Sequence, residues 1–207
     1  DVDNVTAPVV SGKIPSWLRA VKYNNGFGKY EGKGFALKYL FDVIAFINKW
    51  RVADGAVTFS SKPIQSEYLA ESAKSVPLYR TFGGVEPPMS AWQKARTVVS
   101  LTSDNYNVNV QKIGDHLLAI SDMAGSMEID LDTIGTKGPF KWSDELSKRT
   151  SMITCAHPAQ LPGDKYSYNY LCSVMGNFPH VQNLQKYELY RIDTTKEPLS
   201  REVVLIA

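Results

Sequence analysis

Short runs that alternate apolar with polar residues, each closed off by a turn residue, fill most of this chain and constrain its fold more than any other feature. Residues 105–123, "NYNVNVQKIGDHLLAISDM", read as a hairpin in which Val108 and Val110 alternate with Asn107 and Asn109, with a turn at Gly114-Asp115. Residues 126–136 place Met127, Ile129 and Leu131 on one face of a strand, and residues 55–69 alternate after an Asp54-Gly55 turn. The stretches 165–174, 186–193 and 201–207 continue the pattern. Strands recurring at roughly 8–12-residue spacing predict an all-β sandwich, barrel or propeller. Helix is expected only over 90–100 and 143–151. The pattern has no break, so the reading is one domain over residues 1–207 with no internal boundary.

The densest apolar stretch, residues 37–50, is interrupted by Lys38, Asp42, Asn48 and Lys49. It falls short of the roughly 18 uninterrupted apolar residues that a membrane span needs, so strand is expected there and no transmembrane segment. The 23 basic and 21 acidic residues leave a formal charge of +2 with no long single-sign run. No basic face for nucleic acid is foreseen, and nucleic acid is excluded as a partner. Cys155 and Cys172 lie in neighbouring strand-like stretches, where they either pair or stay free and buried. Asn4-Val5-Thr6 has the pattern of a glycosylation site, a triplet common by chance. The chain opens at Asp1 without a signal-peptide pattern, so a trimmed or late-starting N-terminus is expected.

Chemistry-bearing residues are few. His157 closes the stretch "SMITCAHP", where Pro158 biases it toward an extended backbone and ends strand pairing. That is a good place for a ligand on a rigid scaffold, although a lone histidine is more often structural. His116, after the "GD" turn, is expected to be exposed, and His180 to lie in a loop. The three histidines share no short metal-ligand spacing. Gly26-Phe27-Gly28 lacks the strand–turn–helix context of a phosphate cradle and reads as a glycine-rich turn. There is no nucleophile elbow and no P-loop. Cys155 and His157, if on one strand, share a face that favours packing over a catalytic pair.

Several stretches, taken in order, resemble the carotenoid cleavage oxygenases. "GKIPSWLRA" (Gly12 to Ala20) is similar to that family's opening motif, Asn25 to Gly28 to its "RNGPG", Tyr39 to Val43 to its "HxFDG", and Asp54 to Lys62 to its "DGxVxY" strand. Residues 102–136 resemble its "TDNxxVN", "LxAxxE" and "DPxTLxT" segments. "TCAHPAQLPGDKYSYNYL" (154–171) resembles its "HP" motif. The resemblance covers nearly the whole chain, and the order and spacing are more specific than any one motif.

The resemblance implies a seven-bladed β-propeller with four histidines around a ferrous iron. His157 stands at the position of the first ligand. Asp122 stands where the family has a glutamate that orients a ligand histidine, with the same charge but one methylene less reach. The implied cofactor is Fe(II), and the implied substrate is a carotenoid or apocarotenoid whose polyene double bond is cleaved with O2. Imidazole ligands suit iron, and a largely apolar tunnel suits the polyene.

Phe27 replaces the proline of "GPG", Val43 the last glycine of "FDG", and Tyr39 the histidine before it. At roughly 40–45 residues per blade, 207 residues make about four or five blades' worth of chain. A partial propeller exposes sheet edges, so another protein chain or a missing C-terminal half is expected to cover them. Two readings follow. In one, the chain is the N-terminal part of an iron(II) carotenoid oxygenase, carrying one of four ligands and inactive alone. In the other, it is a non-catalytic, structural or pigment-associated subunit of a larger assembly. A plastid location follows only by analogy.

Overall fold

Turn chemistry sets the hairpin over residues 44–63. In the computed structural model, which describes residues 1–74, 88–99, 103–123, 125–144, 152–160, 163–174 and 185–206, Asp54 and Gly55 both take positive φ, 52° and 77°. A two-residue turn of that hand matches the right-handed strand twist and pairs the flanking strands. Strand β1 is Val2–Ala7 and β2 is Ala20–Lys29; a small β3–β4 hairpin (Glu31–Gly32 and Phe35–Ala36) follows. After a 3-10 turn at Leu40–Asp42 come β5 (Ile44–Ala53) and β6 (Ala56–Pro63). Helices α1 (Glu67–Lys74) and α2 (Ala91–Val99) precede β7 (Asn109–Ile113), β8 (His116–Ile120), β9 (Ser126–Ile129) and β10 (Thr136–Pro139). The chain closes with β11 (Met152–Thr154), β12 (Tyr166–Val174), β13 (Gln185–Asp193) and β14 (Arg201–Ile206).

These strands make three four-stranded antiparallel sheets, ordered β1-β6-β5-β2, β10-β9-β8-β7 and β11-β12-β13-β14. The residue count suggested four or five blades, whereas the described residues hold three. The difference lies in the unequal allotment of chain: the connection from β6 to β7 carries both helices and adds no strand among the described residues. The all-β expectation holds, with few helices.

The middle sheet is buried on both faces. Leu117, Ala119, Met127 and Ile129 pack with Ala45 and Ile47 of the first sheet, while Ile113 and Leu118 pack with Tyr190 and Ile192 of the third and with Leu199 from the connection between β13 and β14. A strand covered on both faces reads as a continuous apolar run, which is why β8 is "HLLAI".

Three expectations change. The alternating run 55–69 ends as a strand at Pro63, and α1 begins at Glu67. The Glu67 and Tyr68 amides donate to the Asp104 carboxylate at 2.6 and 3.0 Å, a helix cap supplied from far along the chain. Gly26-Phe27-Gly28 is not a turn but lies within β2. A Cβ on Gly28 would collide with the Phe46 ring, so this glycine permits a close approach of side chain to strand. Finally, Asn107, assigned to the polar side of its strand, is buried along with Asn105. The helix expected over 143–151 lies outside the described residues from 145 onward. No helix among the described residues is long and apolar enough to cross a membrane.

Candidate functional site

Asparagine side chains tie the three sheets together on the side where His157 sits. Asn25 on β2 donates to the Tyr106 carbonyl and, at 3.1 Å, to the Asn109 carbonyl on β7. Asn109 in turn donates to the Ala156 carbonyl at 2.8 Å. Asn105 and Asn107 both donate to the carbonyl of Val43, at 2.9 and 3.0 Å, and Asn107 also to that of Phe41. Buried amides need such partners, and here their partners are main-chain carbonyls at the ends of other elements.

His157 lies three residues beyond the end of β11. Thr154 pairs with Leu171, and Ala159 next pairs with Tyr168, exchanging two hydrogen bonds of 2.8 Å. Between these pairs β11 spends Cys155 to Pro158 against only 169 and 170 on β12, so the chain bulges out there. Three side chains hold the bulge by its backbone. The Ala156 amide donates to Asp122 Oδ1 at 2.9 Å, Asn109 holds the Ala156 carbonyl, and Asn169 donates to the Cys155 carbonyl at 2.7 Å. The Thr154 amide also donates to the Asp122 carbonyl at 2.9 Å. Ala156 is fully buried, yet the next residue, His157, is exposed. The His157 amide faces Cys155 Sγ at 3.4 Å, and among the described residues none hydrogen-bonds its imidazole. Cys155 is a free thiol.

Asp122, expected to orient a histidine side chain, holds the main chain one residue before His157 through its Oδ1. His116 proves half-buried rather than exposed: Nδ1 lies 2.9 Å from Glu128 and Nε2 3.1 Å from Glu197. Burial opposes charge on this ring, but the hydrogen bonds and charges of the two carboxylates outweigh it and raise its pKa. The carboxylates occupy opposite ring nitrogens and cannot converge on one ion with it. His180 lies outside the described residues. Among the described residues no three His, Cys, Asp or Glu side chains gather where a metal ion would sit.

The replacements at Phe27 and Tyr39 meet in space. Phe27 packs edge-on against Phe41 at 5.9 Å, and Tyr39 packs against the same ring at 5.6 Å. Val43 is fully buried with its carbonyl held by the two asparagines. Phe27 and Tyr39 thus share one aromatic cluster with Phe41. Sequence reasoning missed the asparagines; the signal was the run "DNYNVN", in which the polar half of the alternation turned inward.

Four-stranded sheets stacked face to face, with one edge of each tied to the next, define a segment of a β-propeller. The family profile described as "RPE65: Retinal pigment epithelial membrane protein" matches residues 1–205. This chain belongs to that family, the carotenoid cleavage oxygenases. It is 31% identical over 157 residues to the chloroplastic carotenoid cleavage dioxygenase 8 homolog B of Oryza sativa subsp. japonica, covering 72% of this chain and 27% of the relative. It is 31% identical over 180 residues to the mitochondrial carotenoid-cleaving dioxygenase of Pongo abelii, covering 81% of this chain and 30% of the relative. Among solved structures, an ACO/RPE65 chimera superposes with a TM-score of 0.70 at 21% identity, covering 100% of this chain and 42% of the chimera. Cobalt-substituted Synechocystis ACO gives the same TM-score of 0.70 and 21% identity, with 42% of its chain covered. The chain thus spans less than half the length of the relatives it matches.

Proposed function

We propose that this chain supplies the amino-terminal blades of an iron(II)-dependent oxygenase that cleaves one conjugated double bond of a carotenoid or apocarotenoid. In the overall reaction one O2 is consumed, the carbon–carbon double bond breaks, and each carbon leaves as a carbonyl. His157 serves as one iron ligand; the other ligands come from protein outside this sequence, either more of the same chain or a partner chain. Residues 1–207 act as one domain piece in that assembly. The observation that carries this reading is the His157 loop: Asp122, Asn109 and Asn169 grip its backbone and leave the imidazole exposed. Such a grip fixes the backbone from which the ring projects and leaves both ring nitrogens available, one for an ion and one for a partner that would orient the ring. A plastid location rests on the chloroplastic relatives, with mitochondrial relatives pointing to another organelle.

The test is to incubate the full-length natural protein with carotenoid and apocarotenoid substrates under O2 and to separate the products. Paired aldehyde or ketone products, lost in His157→Ala, support the reading. Intact substrate with a correctly folded protein sinks it and favours the non-catalytic subunit.

A further inference from the structure

Between the second and third sheets, behind the His157 loop, lies a cavity of about 30 Å3. One wall is formed by β7, β8 and β9, the other by the loop and by β12, β13 and β14. Two buried side-chain oxygens on this wall, Gln111 Oε1 and Ser126 Oγ, have no hydrogen-bond partner among the described residues. Ser126 is only 3% exposed. A buried polar atom left unpaired costs about 1–3 kcal/mol, so two facing the same small space call for a ligand. Gln111 cannot simply turn away, because its Nε2 donates to the Oγ of fully buried Ser167 at 3.1 Å. Exchanging its amide O and N would still leave one polar atom facing the cavity.

The chemistry of the wall selects the ligand. The Arg201 guanidinium lines the same cavity, held by Asp144 at 3.0 and 2.8 Å, which disfavours a cation. An anion would meet Gln111 Oε1, an acceptor. A small neutral molecule that both donates and accepts satisfies Gln111 and the serine hydroxyl. The volume exceeds the roughly 10–15 Å3 that one water requires.

We propose that this cavity binds ordered water, held by Gln111 and Ser126 on the face of the second sheet that meets the third. This inference is independent of the catalytic reading. It applies equally to an active oxygenase and to a non-catalytic subunit.

The test is a crystal structure of the full-length protein at a resolution that shows ordered solvent, alongside the Gln111→Leu/Ser126→Ala double variant. The wild type is expected to show density within about 2.7–3.2 Å of both the Gln111 side chain and Ser126 Oγ, and the double variant to lose it. An empty cavity in the wild type, a direct Gln111–Ser126 hydrogen bond, or density that persists in the double variant would each overturn the proposal. Should the double variant fail to fold, the wild-type density alone decides.

Discussion

Two histidines at strand ends are held in opposite ways. At His116 the side chain is clamped: both ring nitrogens face carboxylates, Glu128 from β9 and Glu197 from the turn between β13 and β14, and Lys137 sits 3.2 Å from Glu128. At His157 the backbone is clamped through Cys155 and Ala156, while the ring is exposed. Clamping a ring uses up its lone pairs and protons in structure; clamping the backbone beneath it leaves them for chemistry. The first histidine staples two sheets and the second is presented to whatever faces it.

The comparison breaks or sharpens under four changes. The largest stability loss is expected from Asp122→Ala, which strips the partner from the buried Ala156 amide; about 1–3 kcal/mol should disappear in denaturant titrations. Asp122→Asn, which keeps an acceptor, should recover most of it. His116→Ala should cost less, about 1 kcal/mol, because Glu197 is more than half exposed and its contact is weakened by solvent.

The third effect is on pH dependence. The folded pKa of His116 is raised, so its contribution is fully present below the unfolded value of about 6.5 and is lost as pH rises through the folded pKa. For Glu128, burial raises the pKa, but hydrogen bonds to His116 and Lys137 prevail and lower it. Its contribution is present above about 4.3 and is lost as pH falls through the folded pKa. The clamp is therefore strongest between those two values, and His116→Ala should flatten the stability profile above pH 6.5. An unchanged profile would mean that His116 does not hold the sheets.

The smallest effect is His157→Ala, within about 0.5 kcal/mol of wild type, as for an exposed side chain. A loss as large as that of Asp122→Ala would erase the distinction between the two histidines.

The strands themselves were legible in sequence because alternation and turn residues are local signals: the Asp54-Gly55 turn and the 109–120 hairpin fall where they were expected. What was not legible depended on distant partners. Asp104 adds a distant carboxylate to the α1 cap that Ser66 makes locally, Gly28 yields to a ring on β5, and buried Asn105 and Asn107 answer carbonyls at Phe41 and Val43. Each looked locally like a strand, a turn or a polar surface. His116 was misjudged for the same reason, since Glu197 approaches from 81 residues away. At the candidate site, the strand end before Pro158 pointed to His157 and family resemblance gave it a role, while Asp122 came through the resemblance alone. The structure adds that Asp122 grips the main chain and that Asn109 and Asn169 share the task.

The most direct test of the central claim, that His157 is a ligand presented on a backbone-anchored loop, is the metal content of the full-length natural protein and its His157→Ala variant. Both should be purified folded and measured by elemental analysis beside their unfolding midpoints. Stoichiometric iron in the wild type, lost in the variant while stability of the metal-free proteins stays within about 0.5 kcal/mol, is the predicted result. Iron retained by the variant, or a folded wild type that takes up none when iron(II) is supplied, would contradict it.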